Sequence, residues 1–491
     1  FIINLIKMNH KILTEAEKLF KEGIEFLQRG ELDLAEKKFN NCLNLLPYSL
    51  PVIHNLISIY INTNQRKKLK EILKDKIKLS KEKEIMFGLA YYNNFEGNFN
   101  NSIKICKQII HFPQFKDSIE DLMASNYKKK KLFLDALKIY KKKLRKNKNY
   151  LIYYNIGVLF SELGKTKTSF YYLSKSNKIK NNYISTLWNL SLCLLKLKRF
   201  EPGFLLHEYR WKKKDNPLKK KFTSIPEPNN LQDIVNKKIL IWDEQGLGDT
   251  LQFSRFVIDL LKYSKQLTFV VNSKLSEILK NLHKNIYVIN YENLIVENFD
   301  YQIPLLSLPK YLGIKKLEDI SFYKLEKSNN NSLGLIKNSK LNIGVSWSGN
   351  PKYTLDNYRS IPFKTFKDVF KIDGVNFYKL SQNVKSEEFL EYNSLSNLTD
   401  YSEKSLYEIF QILPKLDLVI SSDTSIIHLA GILNVKSYLL LNYNSNWRWF
   451  EDRKNTIWYP SIQIIKQDKF DSWKNVFKEL VIKLEDLKNQ K

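Results

Sequence analysis

The first two hundred residues repeat a helix–turn–helix pattern about every 34 residues. In residues 16–47, Gly23 lies where two helices must approach closely, Gly30 ends the first helix, and Ala35 and Phe39 face inward on the second. Weaker copies occupy residues 50–80, 84–113, 117–140, 150–173 and 184–207. Because each helix pair buries its apolar face only against its neighbours, six units predict a curved solenoid with a concave surface. An ordinary helical bundle is the alternative.

The offsets of the small residues resemble those of the tetratricopeptide repeat (TPR). The resemblance implies an α-helical TPR solenoid over residues 10–212, whose concave face would hold a protein or glycan acceptor. The basic, proline-containing stretch 213–236 lacks apolar periodicity and is predicted to be a linker.

The sequence pattern changes after this stretch, because short apolar runs now alternate with predicted amphipathic helices. Apolar runs of this length between helices are typical of parallel sheets built from βαβ units. The runs, which we predict to be strands, are KKILIWD, LTFVV, IYVI, DYQIPLL, LNIGVSWSG, NFYKLS, LDLVISS, KSYLLL and SIQIIKQ. A polar break at 325–340 predicts two Rossmann-like halves, 237–330 and 340–491, with ligands at the carboxyl ends of the strands.

Charge and cysteine content narrow the class of protein. The formal net charge is +29, but only nine of the 80 basic residues are arginine. Nucleic-acid readers rely on arginine, so we predict no nucleic-acid partner. The three cysteines form no metal or redox spacing and are predicted to be buried core residues of a cytoplasmic protein. We expect no transmembrane segment, leave peripheral contact with an inner membrane open, and note Met8 as a possible start.

Three polar clusters follow predicted strands. In the first, Gly246-Leu247-Gly248 turns into a helix for which Asp249 is predicted to be the N-cap. Glycines at a helix N-terminus let backbone N–H groups approach an anion, and a carboxylate at a cleft can act as a general base. A tight turn with a capping aspartate is the alternative interpretation.

The second and third clusters belong to the C-terminal half. After one strand come Trp347 and, before a helical segment, Arg359, whose planar fork suits a diphosphate. After another strand, hydroxyls and a histidine meet a helix N-terminus, a place where phosphate binds readily; these residues are Ser422, Asp423, Thr424, Ser425 and His428. A capped helix with a half-buried histidine, and a surface arginine, are the structural alternatives.

Together these clusters resemble the bacterial TPR glycosyltransferases, whose catalytic half is similar to the heptosyltransferases of lipopolysaccharide synthesis. The residues that carry the resemblance are Gly246–Asp249, Trp347–Asn350 with Arg359-Ser360, and Ser422–Thr424 with His428–Gly431. Supporting marks are Glu208-x-Arg210-Trp211, Asn446–Trp449 and Trp458–Pro460.

The resemblance implies a GT-B fold and an inverting, metal-independent transfer from a nucleotide-activated sugar, with no cofactor. Asp249 would be the base that takes the acceptor proton, and Arg359 would stabilise the departing diphosphate. Asp423, Thr424, Ser425 and His428 would hold the diphosphate and donor sugar, beside Gly246, Gly248, Trp347 and Ser422. The alternative is a non-catalytic TPR scaffold with a degenerate sugar-nucleotide fold.

Overall fold

A computed structural model describes residues 2–76, 79–213, 220–296, 299–326, 340–351, 356–381, 386–450 and 454–490. The chain forms two compact units, Phe1–Leu159 and Phe160–Lys491. The first unit is helical. The second contains the remaining helices of the repeat region together with two parallel sheets, so the predicted edge of the repeats near residue 212 lies inside it.

The helices of the repeat region follow the predicted pairs. Gly23 faces Phe39, and a Cβ added to this glycine would lie 2.6 Å from the ring, which explains why a side chain is missing there. Ala35 and Phe39 are fully buried, as predicted. The helices are α1 (Ile2–Gln28), α2 (Leu32–Leu45), α3 (Leu50–Asn62), α4 (Arg66–Asp75), α5 (Lys83–Phe95), α6 (Phe99–Ile109), α7 (Pro113–Lys129), α8 (Phe133–Lys146), α9 (Tyr150–Glu162), α10 (Thr166–Ile179), α11 (Ile184–Lys196) and α12 (Phe200–His207).

The turn inside each helix pair repeats with a backbone signature. One residue per turn adopts a left-handed conformation with φ between 58° and 79°. The next residue donates its N–H to a carbonyl five positions earlier at 2.8–2.9 Å, as in a Schellman motif. The left-handed residues are Gly30, Asn64, Gly97, Lys131, Gly164 and Lys198. They are 33 or 34 positions apart, so the TPR-like repeat persists where the sequence lacks its glycine.

The second unit begins with helices of the repeat region and continues into a four-stranded parallel sheet. Its strands run in the order β3-β2-β1-β4. The change of direction lies between β1 and β4, and this is where open parallel sheets bind ligands. The elements are β1 (Lys238–Trp242), α13 (Leu247–Leu260), β2 (Gln266–Val271), α14 (Ser273–Leu279), β3 (Ile286–Asn290), β4 (Tyr301–Pro304) and α15 (Leu308–Tyr311).

A six-stranded parallel sheet follows, in the order β10-β9-β8-β5-β6-β7, with its change of direction between β5 and β8. All nine predicted strands are present, and the short β7 is an addition. One hydrophobic core contains residues of both α13 and α19, which belong to different sheets' layers. The elements are β5 (Leu341–Ser346), α16 (Asp356–Arg359), β6 (Val375–Lys379), α17 (Ser386–Asn393), β7 (Leu398–Asp400), α18 (Leu406–Ile412), β8 (Leu418–Ser421), α19 (Ser425–Ile432), β9 (Ser437–Leu441), β10 (Ile462–Lys466) and α20 (Lys474–Asn489).

The structure corrects the prediction that residues 213–236 form a linker. Residues 214–219 lie outside the described part, but residues 220–236 are packed against the first sheet. Phe222 and Ile225 contact the cluster formed by Leu240, Trp242 and Val270. The N–H of Gln302 in β4 donates to the carbonyl of Pro226 at 2.9 Å. This segment therefore covers a sheet face that a helix covers in many α/β folds.

Two further predictions concern the whole chain. Cys42, Cys106 and Cys193 are buried, as predicted. Among the described residues, no helix combines the length and the apolar character needed to cross a membrane. The predicted break at 325–340 falls almost wholly on residues 327–339, which lie outside the described part.

Candidate active site

The first polar cluster is the start of α13. Gly246, not Asp249, is the N-cap, and Asp249 is the third helical residue. Its Oδ2 accepts a hydrogen bond from the N–H of Gly246 at 3.2 Å, which corrects the predicted N-cap. The carboxylate therefore reaches back over the first turn of the helix. Its other oxygen, Oδ1, lies on the side of the C-terminal sheet, and the side chain is 24 % exposed.

Gly248 brings α13 against α19. A Cβ added to this glycine would lie 2.7 Å from Cδ2 of His428, so the absence of a side chain permits the contact. The two residues belong to the layers of different sheets. The glycine pair in this turn is thus explained in two parts: Gly246 is the N-cap, and Gly248 makes room for an imidazole.

Replacing Gly248 with alanine is expected to lower the free energy of unfolding of the second unit by about 1–3 kcal/mol, the usual cost of overpacking. Gly246→Ala is the matched control, because its added Cβ would meet only Oδ2 of Asp249, at 3.4 Å. That control should cost less than about 1 kcal/mol, the cost of a poorer N-cap. All eight tryptophans lie in the second unit, so urea denaturation followed by their fluorescence reports it selectively. Equal effects of the two variants would contradict the close contact.

An ion pair joins the two halves at Asp249. Nη2 of Arg448 lies 2.5 Å from Oδ1 of Asp249, and the arginine side chain is 9 % exposed. The guanidinium also lies 5.5 Å from the ring centre of Phe253 and 4.9 Å from that of Trp447. Its Nη1 donates to Oδ1 of Asn446 at 3.1 Å, whereas its buried Nε has no partner. Asp249 is thus paired with Arg448, whose position is fixed by these contacts and whose Nε–H has no hydrogen-bond acceptor among the described residues.

His428 is fully packed rather than half-buried. Burial, aided by Arg448, Arg255 and Arg359, lowers the pKa of this imidazole to about 3, so it is neutral near pH 7. Its Nδ1 lies 3.0 Å from the hydroxyl of Tyr459, and its ring stacks on Trp449 at 5.2 Å. Its Nε2 lies 3.8 Å from Oδ1 of Asp423, beyond hydrogen-bond distance. The histidine acts here as a neutral, oriented ring.

The third cluster lies at the end of β8, beside the change of direction of the second sheet. Thr424 is the N-cap of α19, yet its side chain makes no capping bond; its hydroxyl lies 3.1 Å from that of Ser421 and 3.4 Å from that of Ser346. Ser425 is the first residue of the helix. Oγ of Ser422 is buried without a partner. The helix N-terminus thus combines unpaired backbone N–H groups with hydroxyls, as an anion site requires.

Asp423 completes this cluster. Burial raises the pKa of its carboxyl, as does Asp249, while Trp449, Arg359 and Arg448 lower it. Its side chain remains 22 % exposed. Two carboxylates from opposite halves, Asp249 and Asp423, therefore share an arginine-rich environment.

Arg359 is brought to the same place by the second cluster. Its Nη1 donates to the backbone carbonyl of Asp423 at 3.2 Å, and its Nε pairs with Oδ1 of Asp356 at 2.9 Å. The guanidinium is 27 % exposed, so part of it remains accessible. Arg359 is therefore a member of the site rather than a surface residue in a loop.

The structure corrects the prediction that Trp347 lies beside the bound donor. Its side chain is completely buried, with ring centres of Phe363 and Phe366 at 5.3 and 5.8 Å. Its indole Nε1 donates to Glu388 at 3.3 Å. The side chain is a core residue under the site and does not line it, because a fully buried indole cannot touch a ligand in the cleft.

The Trp-Arg-Trp and Trp-Tyr-Pro segments support the family resemblance, but the sequence alone assigns no role to their residues. The structure places Arg448, Trp449 and Tyr459 around His428 and Asp249. It also buries Arg255, whose Nη1 donates to the carbonyl of Trp458 at 2.9 Å. The rarity of arginine was the available signal, since three of the nine arginines, Arg255, Arg359 and Arg448, meet in this region.

Comparisons with known proteins add little to this geometry. No protein-family model matches the chain, and no curated protein matches it. Among solved structures, it resembles a Pseudomonas aeruginosa pilF protein at 14 % identity, over 41 % of this chain and all of the other, with a TM-score of 0.33. A tetratricopeptide repeat protein from Parabacteroides merdae is similar at 14 % identity, over 40 % of this chain and 80 % of the other, with a TM-score of 0.33.

Another similar structure is YrrB, described as a TPR protein with an unusual peptide-binding site. It shares 12 % identity over 37 % of this chain and 95 % of its own, with a TM-score of 0.29. These scores are too low to transfer a function. The repeat assignment therefore depends on the helix pairs and their left-handed turns, and any activity must be argued from the site.

Proposed function

We propose that this chain is a glycosyltransferase of GT-B architecture that moves a sugar from a nucleotide-activated donor to a hydroxyl acceptor on a protein or glycan. One observation carries the proposal. Asp249, in the layer of one parallel sheet, forms an ion pair with Arg448 of the other half. In that other half Asp423 directly precedes the N-cap of α19, accepts a hydrogen bond from Arg359 at its carbonyl, and interacts electrostatically with both Asp249 and Arg359. Transfer with inversion needs this combination: a base on one side of the anomeric carbon, and positive charge at the leaving group on the other.

The chemistry assigns a task to each side. The acceptor oxygen forms a bond to the anomeric carbon while the bond to the diphosphate oxygen breaks, and that electron pair leaves with the nucleoside diphosphate. The acceptor proton passes to the carboxylate of Asp249. Arg359, the N–H groups at the start of α19 and the hydroxyls of Ser422 and Thr424 stabilise the departing charge. We propose no metal or cofactor, because these groups supply positive charge and hydrogen-bond donors.

His428 has a more limited part in this scheme. A neutral imidazole cannot neutralise a diphosphate by charge, so we propose that it orients groups in the site. Its stacking on Trp449 and its contact with Tyr459 fix the ring. Three buried polar side chains nearby have atoms without a partner, which a bound ligand or water would satisfy; these atoms belong to Ser422, Gln252 and Arg448.

The test is thermal stabilisation by a panel of nucleoside diphosphates and diphospho-sugars, in EDTA. A ligand that binds only the folded state stabilises it by about 2.7 kcal/mol at one hundred times its Kd. We expect one nucleotide to raise the Tm selectively, Arg359→Ala to lose that rise, and the exposed Arg199→Ala to retain it. Mass spectrometry of the acceptor then detects the transferred sugar. If no nucleotide shifts the Tm of the well-folded protein, the scaffold alternative is favoured instead.

A further inference from the structure

Residues 444–450, the segment after β9, carry the cation that meets Asp249. We name this stretch the arginine segment. Hydrogen bonds hold its backbone at two points: Oδ1 of Asn446 accepts the N–H of Arg448 at 3.2 Å, and the carbonyl of Arg448 accepts the Nε1–H of Trp458 at 2.6 Å. Phe450 ends the segment with φ of 53°, a conformation that bulky residues rarely adopt. The position of Arg448 is therefore imposed by its surroundings.

The surroundings come in large part from the last helix pair of the repeat region. Nζ of Lys196, at the end of α11, donates to Oδ1 of Asn444 at 3.0 Å and to the carbonyl of Ser445 at 3.1 Å. On α12, the ring of Phe204 meets Trp447 edge-on at 6.1 Å, and Phe200 meets Phe450 at 6.1 Å. α11 and α12 thus hold the arginine segment at both ends.

The other side of the arginine segment is α13. Trp447 packs edge-on against Phe253 at 6.4 Å, one turn beyond Asp249, and Arg448 lies over the same ring. A connected set of contacts therefore runs from Lys196 and Phe204 through Trp447 and Arg448 to Asp249. Every contact in it lies within the second compact unit.

We infer that Arg448 is a positioning residue for the base, and that the last repeat helix pair is the element that holds Arg448 against Asp249. The repeats then contribute directly to the reaction centre, in addition to any acceptor that they bind. This inference rests on the proposed function. Arg448 touches the base rather than the reacting atoms, so its loss should lower kcat and leave the KM of the donor nearly unchanged.

The catalytic test compares Arg448→Met with Arg448→Lys. We expect Arg448→Met to lose about 100-fold in kcat, the usual cost of a misplaced catalytic group. Arg448→Lys should retain more activity, since it keeps the charge. Guanidinium ion at low concentration should restore part of the activity of Arg448→Ala, but none in Asp249→Asn. A rise in donor KM at unchanged kcat would overturn the positioning role.

The link to the repeats is tested with Lys196→Met, which removes both bonds to the arginine segment without touching the cleft. Exposed Lys178→Met on α10 is the control. We expect about a fivefold loss of kcat in Lys196→Met, the range of couplings through packed networks. Hydrogen exchange of the amides of residues 444–450 should accelerate in Lys196→Met alone. Unchanged exchange and turnover would overturn the link.

A third measurement separates this inference from the proposed function. A double-mutant cycle on the free energy of unfolding, with Asp249→Asn, Arg448→Met and both together, measures their coupling without any substrate. A clear coupling energy, with no sugar transfer from any donor, would refute the transferase and leave the held ion pair standing. Additive effects would refute the ion pair whatever the activity.

Discussion

Asp249→Asn is expected to lower the rate of sugar transfer by about 100- to 10,000-fold, the contribution of a general base. Asparagine keeps the shape of the side chain and an oxygen that can accept the N–H of Gly246, which Asp249 contacts at 3.2 Å. It cannot take up the acceptor proton. Donor affinity should remain nearly intact, because the groups that we propose to hold the diphosphate come from the layer of the other sheet.

Two controls accompany this variant. Asp259→Asn removes another carboxylate from α13, one that is paired with Lys262 at 3.5 Å, and should transfer sugar at the wild-type rate. Tryptophan fluorescence must show that Asp249→Asn is folded at the assay temperature, since the substitution also leaves Arg448 without its carboxylate. If the two variants turn over equally, Asp249 only organises the first turn of its helix.

Arg210→Met is expected to lower the free energy of unfolding of the second unit by about 3–5 kcal/mol, because it leaves the buried carboxylate of Glu244 without its positively charged partner. Arg210 is 1 % exposed, and its Nε and Nη2 pair with Glu244 at 2.7 and 2.9 Å. It also donates to Glu208 at 2.6 Å and to Ser307 at 2.7 Å. Without it, the one hydrogen bond left to Glu244 among the described residues is that from the N–H of Leu306.

The sign of the pH dependence gives a second readout. Burial already raises the pKa of Glu244, and Arg210 is the main group that lowers it. In Arg210→Met the folded state therefore holds a proton that the unfolded state has released, so stability falls as pH rises above the ordinary range of a carboxyl group. The deficit relative to wild type should be larger at pH 8 than at pH 5.

Urea denaturation followed by tryptophan fluorescence at both pH values measures this effect. Exposed Arg199→Met is the matched control and should cost less than about 1 kcal/mol. The double variant Arg210→Met/Glu244→Met should recover much of the loss, because paired apolar replacements remove the stranded charge. A loss below about 1 kcal/mol in Arg210→Met alone would show that Glu244 finds another partner or water.

The fold was accessible from the sequence because its signals are local. Apolar runs bounded by polar turns identify nine strands, and small residues at fixed offsets identify helix pairs. The three-residue β7 was missed, since Leu398–Asp400 has no apolar run. The packed segment 220–236 was missed because Phe222, Ile225 and Ile234 are too sparse to form a period.

The site was accessible only in part. Asp249 and Asp423 lie shortly after strands of the two sheets, and Arg359 lies in the stretch that follows β5, so local patterns could place all three at the carboxyl ends of strands. Gly246 took the N-cap because a glycine needs no side chain to adopt an extended N-cap conformation, and this left Asp249 free to reach back. The partners of Asp249 and His428 could not be predicted, since Arg448 and Tyr459 arrive from distant sequence by tertiary packing.

The segment 220–236 also determines where the two-sheet region can be cut for transplantation into another protein. Part of the layer that covers the first sheet comes from residues that precede β1 in the chain. Ile225, for example, packs against Leu240, Trp242 and Val270. A fusion that starts at residue 237 would leave an indole and two aliphatic side chains open to water. A portable module of the two sheets must therefore include the segment 220–236.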